Sequence, residues 1–257
     1  MSCVGELDKL DGAIFADTGW EPAAVYRHLE YLEAAAAAVG IPVYRVSAGN
    51  IRADMMRPDA TVRGRVRDGA RHTSLPFYTR DQSGAGGILK RQCTKEYKIA
   101  PIDREIRRLL GLKYRAPWPK EPVVELWMGI SGDEQRRVRQ SDARWKVHRY
   151  PLVFEKWMRR DDCKRWIGEH GFPIPPRSAC LGCPFHSDAE WHEIKQDPEA
   201  WSDVTEFDMA IRRKGGVRGD LYLHRSCKPL VQVDLSTPEE RGQRTFFETE
   251  CLGYCGS

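Results

Sequence analysis

The 257-residue sequence lacks any apolar run long enough to cross a membrane, and Met1–Leu10 lacks the apolar stretch of a secretory signal. It also lacks internal repeats, and its only low-complexity tract is the alanine run Ala34–Ala38. These absences exclude membrane-spanning and repeat architectures. They predict a cytoplasmic protein that has no membrane partner.

Composition is that of a globular protein, with 41% hydrophobic and 30% charged residues and a formal net charge of +4. The length suits one large domain, or a core domain with a smaller cap. The segment from Arg45 to Arg115 contains 17 basic residues and 7 acidic residues. This excess indicates either attraction for a polyanion or a phosphorylated small molecule, or a solvated arginine-rich loop.

The first fifty residues predict a strand–helix–strand unit. Ala13–Ala16 is a short apolar run that ends at the turn Asp17–Gly19. A helix begins near Pro22 and stops at Gly40, and Pro42–Val46 forms a second strand. Two strands joined by one helix are typical of a crossover in a parallel sheet, so we expect an α/β fold.

The pattern weakens from residue 47 to residue 92 and then becomes regular again. We expect strands at Val123–Met128, Val147–Leu152 and Leu221–His224. We expect helices at Pro101–Leu110, Asp133–Gln140, Phe154–Met158, Asp162–His170, Ser187–Lys195 and Pro198–Arg213.

Eight cysteines are many for a reducing compartment in which disulfides are rare, so they favour metal or redox chemistry. Cys180 and Cys183 are separated by two residues and followed by Pro184, a spacing that zinc sites, iron–sulfur sites and redox dithiols share. Two buried structural thiols are the simpler alternative. Further ligands for a metal would come from Cys93, Cys163, Cys227, Cys251, Cys255, His186 and His192.

Two predicted strands end in polar turns that suit a ligand. Asp17 follows the first strand, where open α/β sheets bind ligands, and its carboxylate suits a metal or ribose hydroxyls. The segment 129–134 follows a later strand, and Arg136 comes shortly after it, so this turn suits phosphate or sulfate, or forms a solvated helix face. Cys93 precedes a predicted helix among cationic neighbours, which suits a ligand or a nucleophile.

Taken in order, these stretches resemble the phosphoadenosine-phosphosulfate (PAPS) reductase-like family of the adenine-nucleotide alpha-hydrolase superfamily, including members from phage and actinobacterial genomes. The resemblance covers nearly the whole chain from about Leu10. It is carried by Ile14–Pro22, Arg91–Thr94 with Lys98, Met128–Ser131 with Glu134, and Arg177–Cys180 through Pro184–His186.

The resemblance implies a Rossmann-like, mostly parallel sheet with a nucleotide-binding domain over residues 1–152 and a helical cysteine-rich region over residues 153–257. It implies that the protein binds ATP or a PAPS-type adenine nucleotide. It also implies a 4Fe–4S cluster as cofactor, with zinc as the alternative. The nucleotide contacts implied are Asp17, Thr18, Gly19, Trp20, Gly129, Ser131 and Arg136. The metal ligands implied are Cys93, Cys180 and Cys183 with Cys163 as fourth, or Cys251 or Cys255 in its place. Asp17 and Cys93 are the catalytic candidates.

The chain departs from the family at its start, where members carry a strand and a Ser-Gly-Gly-x-Asp-Ser-type phosphate loop. Here Met1–Leu7 resembles the end of the helix after that loop, so we expect a truncated first strand. The tail Cys251–Cys255 does not match the family's C-terminal reductase motif, which counts against sulfate reduction itself. We therefore expect a sulfur-transfer or sulfur-reducing enzyme, with a nucleic acid as one candidate acceptor. The alternatives are a non-catalytic zinc-stapled nucleic-acid-binding module and a thiol redox protein.

Overall fold

The computed structural model describes residues 1–57, 75–113, 115–213, 219–237 and 240–242. Its chain divides into two compact units: unit 1 comprises residues 1–106 and 177–257, and unit 2 comprises residues 107–176. The predicted mixture of helices and strands is confirmed. The functional boundary predicted at residue 152 stays a prediction, because this division follows contacts within the chain and not function.

The described elements follow each other in this order along the chain. The strands are β1 Ala13–Asp17, β2 Val43–Ser47, β3 Tyr78–Arg80, β4 Gly86–Ile88, β5 Val124–Trp127, β6 Lys146–Arg149 and β7 Asp220–Tyr222. The helices are α1 Ala23–Ala37, α2 Ile51–Met56, α3 Ala100–Leu109, α4 Pro151–Phe154, α5 Arg160–Glu169, α6 Asp188–Lys195 and α7 Pro198–Ile211. Short 3-10 segments are Ser2–Val4, Gly132–Arg137 and Leu230–Gln232, and a π-helical segment, Thr94–Ile99, leads into α3.

In unit 1 the predicted strand–helix–strand arrangement is confirmed. β1 and β2 pair in parallel, with Ala13 opposite Val43 and Asp17 opposite Ser47. The connecting helix α1 ends at Ala37. Gly40 follows with a φ of +71°, which lets the chain reverse direction into β2. Because both strands run the same way, Asp17 and Ser47 lie at the same end of the pair.

A second sheet in unit 1 is antiparallel. β3 lies in its centre, with β4 on one side and β7 on the other. The main apolar cluster among the described residues of unit 1 packs residues from α2, α7 and β7 with residues around the Cys180–Cys183 turn. Its fully buried members include Ile51, Leu75, Phe77, Trp191, Phe207, Leu221 and Leu223.

Unit 2 contains the parallel pair of β5 and β6, with Val124 opposite Lys146 and Trp127 opposite Arg149. Its small apolar cluster consists of Ile130, Tyr150 and Val153. The rings of Trp118 and Trp145 stack with their centroids 4.0 Å apart. Stacked indoles supplement this small core, since aromatic side chains bury a large apolar area.

The predicted single, mostly parallel sheet is not what the described residues form. They form three small sheets, of two, three and two strands, and the three-stranded sheet is antiparallel. Three local expectations also change. The helix expected at Asp133–Gln140 is the 3-10 segment Gly132–Arg137, and the strand expected to end at Leu152 ends at Arg149. The helix expected at Phe154–Met158 does not form, because α4 ends at Phe154 and Trp157 is left-handed. In the described parts, every helix falls short of the length and apolarity that a membrane crossing needs.

Candidate functional site

The Asp17 carboxylate fixes the turn that follows β1. Its Oδ1 atom accepts a hydrogen bond from the Gly19 backbone N–H at 2.7 Å and another from the Tyr26 hydroxyl at 2.9 Å. Gly19 has a φ of +72°, and a Cβ atom there would lie 2.9 Å from the Cα atom of Asn50. The position therefore requires glycine, because the turn needs both the left-handed conformation and the close approach of Asn50.

Tyr26 keeps its proton beside that carboxylate. Burial raises the pKa of Tyr26 to about 12, and its hydrogen bond to Asp17 adds to the shift. The phenol is therefore a permanent donor at neutral pH. One oxygen of the predicted catalytic residue Asp17 is thus occupied in holding the turn.

Thr18, Glu21 and Cys180 form a buried polar cluster next to the turn. The Thr18 Oγ1 atom donates to Glu21 Oε1 at 3.0 Å and lies 3.2 Å from Cys180 Sγ. Cys180 Sγ lies 3.9 Å from the same Glu21 oxygen, and Ser178 Oγ lies 3.5 Å from the other. A thiol and a carboxylate that are 159 residues apart in sequence therefore meet at the carboxyl end of β1.

The turn that carries Cys180 is built around the Trp20 indole. The Leu181 backbone N–H donates to the Trp20 carbonyl at 2.7 Å, and a Cβ atom at Gly182 would lie 2.0 Å from the Trp20 ring. The Cys183 N–H donates to the Cys180 carbonyl at 2.9 Å, which closes the turn. Glycine at position 182 is therefore needed to let the two-cysteine turn lie against the indole.

His186 fastens the same turn through one of its ring nitrogens. Its Nε2 atom donates to the Cys180 carbonyl oxygen at 3.0 Å, and its ring packs edge-on against Trp191. Burial lowers the pKa of His186 to about 4. The ring is therefore neutral at pH 7, with the Nε2 proton committed to the turn.

The cysteine thiols of this turn hold their protons strongly. Burial raises the pKa of Cys180 to about 12, and the nearby Glu21 charge adds to the shift. Burial also raises the pKa of Cys183, and the neighbouring Cys93 contributes to that shift. Cys93 and Cys183 pack against the apolar cluster that contains Cys180. The three cysteines therefore share one low-dielectric region of unit 1.

We expect the metal-free protein to resist alkylation at Cys180. With a pKa near 12 the thiolate fraction at pH 8 is about 10⁻⁴, against roughly one quarter for an ordinary thiol, so iodoacetamide should react about 10³-fold more slowly than in the unfolded chain. The rate should rise about tenfold per pH unit up to the raised pKa. Mass spectrometry of timed samples measures this, with the partly exposed Cys3 as internal control. Equal rates for Cys180 in the folded and urea-unfolded protein would contradict the expectation.

The fourth predicted ligand, Cys163, belongs to unit 2. It lies in α5, and burial together with the charges of Asp133 and Asp162 raises its pKa. The alternatives Cys251 and Cys255 lie outside the described residues. Within the described ranges, no group of three or more histidine, cysteine or acidic side chains is already arranged as a metal site. The ligand set thus stays a prediction.

The predicted nucleotide contacts fall into both units. In unit 1, the side chains of Thr18 and Trp20 are buried and bonded within the protein, Trp20 through its Nε1 atom to Asp203 at 2.6 Å. Contacts with a nucleotide from this turn would therefore come from Asp17 and the backbone. In unit 2, Ser131 is buried and precedes the 3-10 segment that carries the exposed Arg136.

Several residues around the cysteine turn escaped the sequence-based choice of site residues. Asp203 accepts from the Trp20 indole and pairs with Arg52 at 2.6 Å, so it holds the ring against which the turn packs. Lys98 lies close enough to Cys180 to favour the thiolate and partly oppose the rise of its pKa. Glu21 and Lys98 belong to the stretches that carry the family resemblance, and this membership was the sequence signal that could have identified them as site residues. Asp203 had none, because its role depends on the packing of α7.

Comparison of the chain with protein-family models, with curated proteins and with solved structures finds no match in any of the three. We therefore infer function from the residues and distances given above.

Proposed function

We propose that this chain is a PAPS reductase-like enzyme that performs nucleotide-dependent sulfur transfer or sulfur reduction with a cysteine-ligated iron–sulfur cluster. The meeting of Cys180 with Thr18 and Glu21 at the carboxyl end of β1 carries the proposal. Ligands of open α/β folds bind at that end of the strands. The parallel unit of β1, α1 and β2 supports this assignment, because units of this kind occur in Rossmann-like folds.

The nucleotide in this proposal is ATP or a PAPS-type adenine nucleotide. Asp17 supplies the acceptor group after β1, because the Gly19 N–H and carbonyl are already bonded to Asp17 and Asn50. Ser131 and Arg136 supply a hydroxyl and a guanidinium group for phosphates in the turn after β5. Each turn follows a strand of a parallel pair, which is the supporting observation.

The cysteines fit an iron–sulfur cluster by their chemistry. Cys93, Cys180 and Cys183 are soft thiol donors in one apolar region of unit 1, and Cys163 stays the fourth ligand predicted from the sequence. Burial raises the pKa of Cys180, and a bound metal would supply the positive charge that favours its thiolate. When bound, a cluster of this kind supplies electron transfer.

Side chains of the protein influence the protonation of Cys180. Thr18 Oγ1 lies within hydrogen-bonding distance of both Cys180 Sγ and Glu21 Oε1. Loss of the thiol proton leaves Thr18 able to turn its hydroxyl toward the new thiolate. Lys98 adds a positive charge that favours the same form. Thr18 and Lys98 therefore orient Cys180 and partly offset the burial and the Glu21 charge, which favour the protonated thiol.

A zinc-stapled module that binds nucleic acid is the second candidate, because the same three cysteines suit zinc. A free-thiol redox protein is disfavoured by the burial of Cys180. Such a protein needs a thiolate at neutral pH, whereas burial raises the pKa of both Cys180 and Cys183. The two remaining candidates differ in the metal that they hold.

We expect anaerobically purified protein to be brown and to contain iron and sulfide in equal amounts. Cys180→Ser should remove both by withdrawing a soft ligand, whereas Cys227→Ser, another cysteine of unit 1, should leave them unchanged. Absorption spectra with iron, sulfide and zinc quantified per chain measure the outcome. One zinc per chain without iron would favour the second candidate. Absence of metal from the wild-type protein would overturn the role given to the cysteines, and Cys163→Ser tests the fourth ligand separately.

A further inference from the structure

Unit 2 has a net positive charge, whereas the rest of the chain has a net negative charge. Its residues 107–176 include 16 lysines and arginines but only 9 aspartates and glutamates. The remainder of the chain has 25 basic and 28 acidic residues. Even if every carboxylate of unit 2 neutralised one cation, seven positive charges would stay uncompensated within it. An excess of that size is the electrostatic signature of a polyanion partner and exceeds what one nucleotide requires.

The same unit presents a strained and exposed indole. Trp157 is 56% exposed and has a φ of +46°, a conformation that bulky side chains rarely adopt. Hydrogen bonds next to it hold this conformation: the Met158 N–H donates to the Leu152 carbonyl at 2.9 Å, and the Gly132 N–H donates to the Met158 carbonyl at 2.7 Å. A backbone held in an unfavourable region with an apolar ring in solvent indicates a functional position.

The indole stands beside the turn after β5. A Cβ atom at Gly132 would lie 3.7 Å from the Trp157 Cδ2 atom, so the ring borders the start of the 3-10 segment. Arg136 and Arg137 are exposed on that segment. Three residues before Trp157, Phe154 is 67% exposed. Two aromatic faces and guanidinium groups therefore belong to neighbouring segments of one unit.

We propose that unit 2 binds single-stranded nucleic acid, with bases stacked on Trp157 and Phe154 and phosphates held by its excess cations. Unpaired bases offer the faces that stack on aromatic side chains, and the backbone supplies the negative charge. A duplex hides those faces, so charge alone would bind it more weakly. This inference goes beyond the enzyme proposed above and does not depend on a metal in unit 1.

Fluorescence anisotropy of the full chain with a labelled 20-nucleotide oligothymidine tests the proposal. We expect saturable binding at 50 mM salt and weaker binding of the matched duplex. The logarithm of the affinity should fall linearly with the logarithm of the salt concentration. Trp157→Asn should weaken single-strand binding about tenfold or more, since asparagine tolerates the left-handed backbone but offers no stacking face. Phe154→Ala should act in the same direction. Tyr31→Ala, at an exposed aromatic of unit 1, is the matched control and should leave the affinity unchanged.

Three results would overturn the proposal. The first is no binding at low salt, and the second is equal affinity for duplex and single strand. The third is equal single-strand affinity of Trp157→Asn and Tyr31→Ala when both variants have the melting temperature of the wild type. Binding to anionic phosphatidylserine vesicles but not to the oligonucleotide would also overturn it, because the partner would then be a lipid surface. Cys180→Ser should retain oligonucleotide binding, and Trp157→Asn should retain its metal. Failure of this inference is thereby distinguishable from failure of the proposed enzyme.

Discussion

Gly182→Ala should destabilise the protein by about 3 kcal/mol, at the upper end of the cost of inserting a methyl group into a packed interior. The added Cβ atom would lie 2.0 Å from the Trp20 ring, well inside van der Waals contact. The ring cannot move aside freely, because its Nε1 atom donates to Asp203, which also pairs with Arg52. The turn of Cys180 would have to move away from Thr18, so we also expect loss of bound metal. Urea unfolding and metal content per chain measure the two effects.

Gly168→Ala is the matched control for this substitution. A Cβ atom at Gly168, within α5, would have no atom within 4 Å, and alanine should stabilise the helix by roughly 0.5–1 kcal/mol. A Trp20→Leu background tests the cause: if the indole is the obstacle, Gly182→Ala should cost less there, by a double-mutant cycle. Equal costs in both backgrounds would show that the clash is not the reason.

Local sequence signals predicted the helices well where caps mark their ends. Ser187 caps α6 through its own side chain and Glu190, and Asp197 with Pro198 starts α7. The short elements escaped prediction. α2 has six residues, and β3 and β4 have three each, so none is long enough to show a period.

Errors at element ends have local causes. The helix expected from Asp133 became a 3-10 segment because Glu134 leaves helical geometry, with a φ of −102° and a ψ of +16°. Pro151 takes the first position of α4 and so ends β6 before Leu152. The helix expected at Phe154–Met158 is replaced by the left-handed Trp157.

The site was predictable from sequence only in its separate parts. The spacing of Cys180 and Cys183 and the acidic turn at Asp17 were visible as local motifs. Their meeting was not, because the approach of Thr18 to Cys180 depends on packing between segments that are distant in the sequence. Trp20 was expected to contact a nucleotide, yet its ring packs on the cysteine turn, which a local pattern cannot show.

One buried carboxylate, that of Asp208, attaches β7 and the segment after it to α7. Asp208 of α7 is almost fully buried, and its Oδ1 atom accepts from the Leu223 N–H at 3.0 Å. Its Oδ2 atom accepts from the Leu230 N–H at 3.0 Å and from the Arg212 guanidinium. Arg212 also donates to the Leu221 carbonyl and lies over the Tyr222 ring. This carboxylate therefore joins α7 to β7 and to the segment that follows it.

Asp208→Asn should cost about 3–5 kcal/mol, the range for removing one partner of a buried ion pair. Asparagine presents an amide donor to a site where Leu223, Leu230 and Arg212 already donate, so one donor stays unsatisfied and the guanidinium stays buried without its counter-charge. Glu206→Gln, on the same helix, is the control. Its side chain is 66% exposed and pairs with Arg52 at 3.2 Å, so it should cost less than about 1 kcal/mol. Equal losses in urea unfolding would mean that Asp208 does not anchor β7.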